Sequence, residues 1–260
     1  MLQLPGTVTV SPDTETLFEK LGKALMASAL AAVEQRGVYP MALSGGGTPE
    51  PFYVRLVTDP LFRGIPWSKT HLWIVDERCV PEDHEKSNIK MIREAMTDHA
   101  GIPSSQVHAM PVLADDPAGN YESEIAEAFG IQTPAVGDDG AYSGDYPKID
   151  FILLGMGGDC HTASLFPESP ALYATRWIDT NDGEKVVPPP RVTMTYPLIN
   201  AARHVIVLAV GRGKTAALQR VADQRATGAP DLENIPISGI NPAGPGGGDL
   251  TWYLDEGAAG

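Results

Sequence analysis

The amino-acid sequence predicts an α/β protein built around a parallel sheet. Short apolar runs recur along the chain, and such runs are typical of strands that are buried on both faces. Segments with apolar residues at helical spacing separate these runs, and glycine-rich turns join several of them to the helix that follows. A chain of 260 residues suits one large α/β domain or two small ones.

Composition limits the class of partner. The chain has 33 acidic and 19 basic residues and a net charge of −14, which disfavours nucleic acids and anionic membranes because both need a basic surface. Two cysteines are too few for a disulfide framework and indicate a reducing compartment. Residues 1–12 lack the pattern of a signal peptide, and no apolar run approaches the ~18 residues of a membrane span. We therefore expect a cytoplasmic protein.

The first predicted unit is a strand followed by a long helix. Residues 8–10 form a short β-type stretch, and apolar residues at helical spacing predict an amphipathic helix over 12–36 that Gly37 ends. A second strand follows at 41–43, and Pro49 suits the first turn of the helix after it.

The turn after the second strand contains Ser44, Gly45, Gly46, Gly47 and Thr48. A glycine-rich turn between a strand and a helix directs backbone N–H groups and the positive end of the helix dipole towards a phosphate. No lysine follows the glycines, so the turn is not a Walker motif. A phosphate-binding turn and a plain tight turn are equally compatible with this pattern.

The third strand, at 72–75, ends in charged residues. Charge at the end of a buried strand is costly unless it is paired or meets a ligand. The planar guanidinium of Arg78 matches a phosphate, and its alternative partner is the carboxylate of Asp76 or Glu77. Asn88 stands at the start of the next helix, either as a ligand contact or only as the helix cap.

The middle of the chain is less informative. Residues 107–110 suit a strand, and 121–129 suit a helix. Residues 130–148 are rich in Gly, Pro, Asp and Tyr and predict a surface excursion rather than a linker between domains.

The functional prediction depends mainly on the segment GMGGDCHTASLFP at 155–167, which follows an apolar strand at 151–154. Open α/β sheets bind ligands at the carboxyl ends of their strands, so His161 lies where such a fold does chemistry. Gly157 lets the backbone approach a ligand closely. An imidazole suits proton transfer near neutral pH, and Asp159 either orients it or is only a turn acid. The alternative is a glycine-rich turn with a surface histidine.

Two further cations lie near predicted strand ends. Prolines stiffen the approach to Arg191 in an extended segment at 188–195. A strand at 204–210 ends in GRGK, and Lys214 begins a helix that extends to about 226. Because a helix N-terminus repels cations, Lys214 there favours a bound anion, and a solvated lysine is the alternative.

These residues favour anion binding combined with general acid–base chemistry. The chain has no GxSxG elbow, so covalent acyl catalysis is not indicated. It has neither a CxxC nor an HxxxH spacing, so we expect no metal and no cofactor.

Taken together, these segments resemble the 6-phosphogluconolactonases of the glucosamine-6-phosphate isomerase/6-phosphogluconolactonase superfamily. The resemblance covers most of the chain. The matching segments are LSGGGTP at 43–49, DERCVP at 76–81, SN at 87–88, GMGGDCHTASLFP at 155–167, PPPRVTMTYPLINAARHVIVL at 188–208 and GRGK at 211–214.

The resemblance implies a single domain over 1–260 with a three-layer, Rossmann-like sandwich, a mostly parallel sheet and small antiparallel additions near the C-terminal half. It implies metal-free hydrolysis of 6-phospho-D-glucono-1,5-lactone to 6-phosphogluconate in the oxidative pentose phosphate pathway. His161 would be the general base, and Arg78, Arg191 and Lys214 would bind the phosphate and substrate. The only partner we expect is this sugar-phosphate lactone. We expect the protein itself to be a monomer or a weak homodimer.

Two residues depart from the family's usual pattern. Cys160 stands where Gly is usual, and Gly47 stands where Ser is common. If the position before His161 needs a positive φ, Cys160 costs about 1 kcal/mol or more of strain. Gly47 lacks a hydroxyl that the substrate would otherwise contact.

Two other functions are weighed against lactone hydrolysis. A deaminase/isomerase of amino-sugar phosphates would carry an acid soon after the histidine, and Glu168 lies slightly beyond that place. A sugar-phosphate-sensing domain of a transcription regulator would bind without turnover. The chain begins directly in the α/β pattern without a helix-turn-helix and is acidic, which disfavours a regulator.

Overall fold

A computed structural model describes residues 2–133, 135–136, 142–143, 145–183, 186, 188, 190–244 and 246–260. Parts of the predicted excursion at 130–148 and of the proline-rich run at 188–190 lie outside the described residues. No described helix is long and apolar enough to cross a membrane.

The described strands and helices alternate along most of the chain. The strands are β1 (Thr7–Ser11), β2 (Tyr39–Leu43), β3 (Thr70–Ile74), β4 (Asp76–Arg78), β5 (Val107–His108), β6 (Ala135–Val136), β7 (Tyr142–Ser143), β8 (Phe151–Gly155), β9 (Ile178–Asn181), β10 (Arg191–Met194), β11 (His204–Ala209) and β12 (Asp249–Asp255). The helices are α1 (Thr14–Arg36), α2 (Glu50–Thr58), α3 (Asn88–Ile92), α4 (Asp98–Ala100), α5 (Pro117–Phe129), α6 (Tyr196–Ile199), α7 (Thr215–Arg225) and α8 (Glu256–Ala259). A π-helical segment, Arg93–Thr97, joins α3 to α4.

The main sheet, in the described part of the chain, has seven strands in the order β1-β12-β11-β8-β2-β3-β5. Every neighbouring pair in it is parallel. The predicted parallel sheet is therefore confirmed. The short, unbroken apolar runs of the sequence follow from burial on both faces, since helices cover both sides of the sheet.

The path of the chain gives the three layers. The chain first moves outward from β2 through β3 to β5, and then returns through β8 and β11 to β12. Right-handed crossovers place α1, α2 and α3 on one face of the sheet and α5 and α7 on the other. In agreement, α1 contacts α2, and α2 contacts α3.

The order reversal places the ligand crevice. Strands β2 and β8 are neighbours, but the segments that follow them leave towards opposite faces of the sheet. Such a switch point opens a crevice at the carboxyl ends of the two strands. The turn at 44–49 and the loop at 156–161 therefore flank the same opening.

The long helix α1 forms where the sequence predicts it. Asp13 caps its start by accepting a hydrogen bond from the Thr16 backbone N–H at 2.6 Å. Gly37 ends it with a left-handed φ of 80°. Leu17 and Leu21 are fully buried on the face that packs against the sheet.

A small antiparallel sheet, β4-β10-β9, stands beside the main one. The predicted antiparallel additions are confirmed, although β4 comes from the N-terminal half of the chain. Its register pairs Arg78 of β4 with Arg191 of β10. Because directly opposed residues lie close together across an antiparallel pair, this register brings two arginines to one place.

Candidate active site

A cleft of about 230 Å³ lies at the carboxyl ends of the parallel strands. Every predicted site residue except Asp159 lines it. These residues are Ser44, Gly45, Gly46, Gly47, Thr48, Asp76, Arg78, Asn88, Gly157, His161, Arg191 and Lys214. Met156, Ala163 and Leu208 add apolar lining that the sequence did not predict.

Asp159 lies beside His161 rather than in the cleft wall. Its Oδ1 is 2.6 Å from Nδ1 of His161 and also accepts the His161 backbone N–H at 3.1 Å. A carboxylate on Nδ1 selects the tautomer that carries its proton there and leaves Nε2 as a proton acceptor. Burial alone would raise the pKa of Asp159, but its hydrogen bonds and ion pair with His161 lower that pKa to about 2.

The tight loop around His161 depends on Gly157. A Cβ at Gly157 would overlap the imidazole of His161 and the carboxylate of Asp159. The Gly157 backbone N–H donates to the His161 carbonyl at 2.9 Å, and the Cys160 N–H donates back to the Gly157 carbonyl at 3.1 Å. The histidine and its orienting acid therefore sit on a closed turn.

Cys160 adopts the left-handed conformation, with a φ of 72°. This is the strained geometry that the sequence anticipates if a glycine is usual at this position. The side chain is fully buried, with Sγ 3.6 Å from the carbonyl oxygen of Ala217. Burial raises the pKa of the Cys160 thiol, so it stays neutral near pH 7.

Arg191 is 6% exposed and is held by buried polar groups. Its Nη1 lies 3.6 Å from Oδ2 of Asp76 and 3.5 Å from Oγ of Ser164. The Ser164 hydroxyl donates to the same Asp76 oxygen at 2.6 Å. Burial lowers the pKa of Arg191, and the Asp76 carboxylate opposes that effect.

Arg78 contacts a backbone carbonyl rather than a carboxylate. The alternative ion pair with Asp76 or Glu77 is absent among the described residues, because Asp76 faces Arg191 and Ser164 instead. Glu77 is buried and accepts backbone N–H groups, including that of Asn88 at 2.7 Å. The Arg78 guanidinium donates to the Lys86 carbonyl at 2.6 Å and lines the cleft.

Lys214 and Asn88 both tie separate segments to the cleft. Lys214 Nζ donates to the Met156 carbonyl at 2.6 Å, which links it to the loop that carries His161. Asn88 Nδ2 donates to the Asp76 carbonyl at 2.6 Å. The cap of α3 is Ser87 rather than Asn88, so Asn88 is not merely a helix cap.

The turn at 44–49 brings backbone close to Asn88. A Cβ at Gly45 would overlap the Asn88 side chain, whereas a Cβ at Gly47 would meet nothing within 4 Å. Gly46 has a φ of 108°, which only glycine adopts readily. The Ser44 hydroxyl is buried and has no hydrogen-bond partner among the described residues.

Comparison with known proteins identifies the family of the chain. Residues 12–252 match a family described as glucosamine-6-phosphate isomerases/6-phosphogluconolactonase. The chain belongs to this family. The resemblance inferred from the sequence motifs is therefore confirmed.

Relatives within the family match nearly the full chain. The 6-phosphogluconolactonase of Nostoc sp. is 38% identical over 258 residues, covering 97% of this chain and 96% of the relative. That of Mycobacterium tuberculosis is 35% identical over 257 residues, covering 98% of each chain. The solved 6-phosphogluconolactonase of Trypanosoma cruzi superposes with a TM-score of 0.80 at 27% identity, covering 99% of this chain and 97% of that one.

Sequence reasoning did not predict the contacts of two residues close to His161. Ser164 and Phe166 belong to the segment that carries the resemblance, but their contacts depend on β10 and β4, which are distant in sequence. The sequence signal that could have pointed to these two residues was the SLFP part of the motif at 155–167. Among the described residues, no group of three or more His, Cys, Asp or Glu side chains is placed to hold a metal ion.

Proposed function

We propose that the protein hydrolyses 6-phospho-D-glucono-1,5-lactone to 6-phosphogluconate, as a metal-independent carboxylic ester hydrolase of the oxidative pentose phosphate pathway. The observation that carries the proposal is the pairing of His161 with Asp159 at a cleft that also contains Arg78, Arg191 and Lys214. Relatives named 6-phosphogluconolactonase at 35–38% identity over nearly the full chain support the same activity.

The chemistry begins with a water molecule between His161 and the lactone carbonyl. Nε2 of His161 takes a proton from this water as its oxygen attacks C1, and the Asp159 carboxylate stabilises the imidazolium that forms. The tetrahedral intermediate then collapses, the bond between C1 and the ring oxygen breaks, and the imidazolium returns the proton to that oxygen. The products are a carboxylic acid and a ring-opened alcohol, so atoms and charge balance.

The cations act at a distance from the reacting carbon. Arg78, Arg191 and Lys214 come from β4, β10 and the turn before α7, and they line the same cleft. A phosphate held by these groups fixes the substrate so that its carbonyl lies at His161. Binding energy from the phosphate is thereby used to orient the reacting ester.

A lactonase assay corrected for spontaneous hydrolysis tests the proposal. We expect turnover by the wild type, and we expect His161→Ala to lower kcat by about two to four orders of magnitude with a smaller effect on KM. A wild-type rate equal to the blank would contradict the proposal. Ammonia release from glucosamine 6-phosphate without lactone hydrolysis would also contradict it and would favour the deaminase alternative. Glu168, the acid considered for that alternative, is not among the described residues lining the cleft.

Charge-removing variants test the phosphate assignment. Arg78→Ala and Lys214→Ala should each raise KM about tenfold or more, because each removes a charge-assisted hydrogen bond to the substrate. Arg63→Ala removes an exposed arginine outside the cleft and is the matched control. An unchanged KM in both cleft variants would argue against the assignment.

We also propose that the protein is cytoplasmic and acts as a monomer or weak homodimer. Two free cysteines, Cys79 and Cys160, fit a reducing compartment. Light scattering over a range of protein concentrations measures the oligomeric state directly, and a stable higher oligomer would contradict this part.

A further inference from the structure

Phe166 contacts two residues of the cleft. Its ring lies 4.2 Å from the imidazole of His161, centroid to centroid, with 25° between the planes. Cζ of Arg191 lies 5.4 Å from the centroid of the same ring. One aromatic side chain therefore touches both the imidazole and a buried guanidinium.

Phe166 is buried but lies outside the contiguous apolar core. The residue is 6% exposed, yet among the described residues it is not part of that core. By contrast, Leu165, the preceding residue, is fully buried within the core. The ring contacts described for Phe166 are those with the imidazole of His161 and the guanidinium of Arg191.

The backbone around Phe166 is anchored on both sides. Asn181 Nδ2 donates to the Ser164 carbonyl at 2.7 Å and to the Ser169 hydroxyl at 3.0 Å. The Ser169 N–H donates to the Phe166 carbonyl at 3.2 Å. These hydrogen bonds therefore fix the backbone position from which the Phe166 ring extends.

The imidazole of His161 needs a second restraint. Its side chain is 30% exposed, and Asp159 holds it at one atom, Nδ1. A single hydrogen bond fixes that atom but leaves the ring plane free to tilt. A flat contact with an aromatic face removes the tilt and so sets the direction of Nε2.

We propose that Phe166 is a positioning residue that fixes the imidazole plane of His161 and the guanidinium of Arg191 relative to each other. This inference rests on the proposed function. In that function, the flat ring of Phe166 sets the relative position of His161, which transfers the proton, and Arg191, which binds the phosphate. A small error in that geometry is costly because the ester must meet the base and the cation together.

Phe166→Leu is the principal test, since leucine keeps apolar volume but lacks the flat face. We expect it to lower kcat about tenfold and to raise KM severalfold. Phe62→Leu is the matched control, because it makes the same change in a fully buried core residue that does not line the cleft. The control should lower the Tm with little change in either constant.

Double variants separate positioning from a general loss of structure. In a His161→Ala background, Phe166→Leu should no longer lower kcat, but it should still raise KM. In an Arg191→Lys background, which keeps a cation near Asp76 but lacks the planar fork, the effect on KM should shrink while the effect on kcat remains. A merely structural role would change both constants by the same factors in every background.

The outcomes distinguish this inference from the function on which it rests. If the wild type turns over the lactone but Phe166→Leu behaves like Phe62→Leu, the positioning role is wrong and the lactonase proposal stands. If the wild type does not turn over the lactone, both fail. Should Phe166→Leu lower the Tm more than the control does, Phe166→Tyr keeps the ring and must restore kcat to near the wild-type value.

Discussion

At the scale of single residues, the orientation of His161 comes from chemically different neighbours within a short segment. Asp159 accepts its Nδ1 proton, and Gly157 leaves room for both side chains. The pKa of Asp159 is lowered to about 2, so this carboxylate is ionised near neutral pH. A permanent negative charge next to Nδ1 favours the imidazolium that forms during proton transfer.

Asp159→Asn tests this electrostatic role. Asparagine keeps the size but removes the charge, so we expect kcat to fall about tenfold or more. Asp98→Asn, an exposed acid outside the cleft, is the control. A kcat equal to that of the wild type would show that Asp159 does not act through its charge.

Cys160 offers a test of backbone strain. Alanine and glycine both remove the buried Sγ, but only glycine relieves the φ of 72°. We expect Cys160→Gly to be more stable than Cys160→Ala by about 1 kcal/mol in urea denaturation. At an ordinary helical position such as Ala31 in α1, glycine should instead be less stable than alanine by ~0.5–1 kcal/mol. Equal stability of the two Cys160 variants would contradict the strain argument.

Part of the site follows from local sequence and part does not. The spacing of Asp159 and His161 on a glycine-rich loop is a local pattern, and so is the turn at 44–48. The partner of Asp76 is not local, because it depends on which face of β4 meets β10. Sequence spacing therefore suggests Arg78 as a partner for Asp76 or Glu77 and misses the ion pair of Asp76 with Arg191.

At the scale of elements, strand–turn–helix units set the cleft. The strands predicted at 41–43 and 151–154 become β2 and β8, and residues of the turns that follow both strands line the opening. These units are predictable because each strand, its glycines and the next helix are contiguous. The antiparallel β4-β10-β9 sheet was harder to place, since its β4–β10 pairing joins segments more than 100 residues apart.

The glycines of the β2–α2 turn differ in the room they have. A Cβ at Gly45 would overlap the buried side chain of Asn88, so Gly45→Ala should displace that amide from the Asp76 carbonyl. We expect a loss of about 1–3 kcal/mol of stability together with a higher KM. Gly47→Ala, with no atom within 4 Å, should change stability by less than about 0.5 kcal/mol. Equal losses in the two variants would show that the turn itself rejects any side chain.

At the scale of the whole molecule, the protein has a negative net charge but gathers positively charged side chains in the cleft. The chain carries −14 overall, yet Arg78, Arg191 and Lys214 gather in one opening. Salt at physiological strength screens charges over about 8 Å, so distant surface acids weigh little on a substrate in contact with these cations. The acidic composition therefore disfavours polyanionic macromolecules but still allows a small sugar phosphate to bind.

We propose that residues 1–260 form one domain, and this too is a claim about the whole molecule. β1, near the start of the chain, pairs along its full length with β12, near its end. The Trp252 indole N–H also donates to the Pro5 carbonyl at 2.8 Å. One contiguous apolar core extends from Leu4 to Ala258. Because the sheet takes strands from all parts of the chain, unfolding one half of the chain would expose the apolar core packed against the other half.

We therefore expect a single cooperative unfolding transition. Tryptophan fluorescence reports on the four tryptophans of the chain, of which Trp73, Trp177 and Trp252 are fully buried in different parts of the fold, and far-UV circular dichroism reports on the backbone. Their urea midpoints should coincide, and 6-phosphogluconate should raise both by the same amount because a ligand of the folded state stabilises the whole cooperative unit. Two separated transitions, with only one of them moved by the ligand, would show that the cleft belongs to one of two independent units.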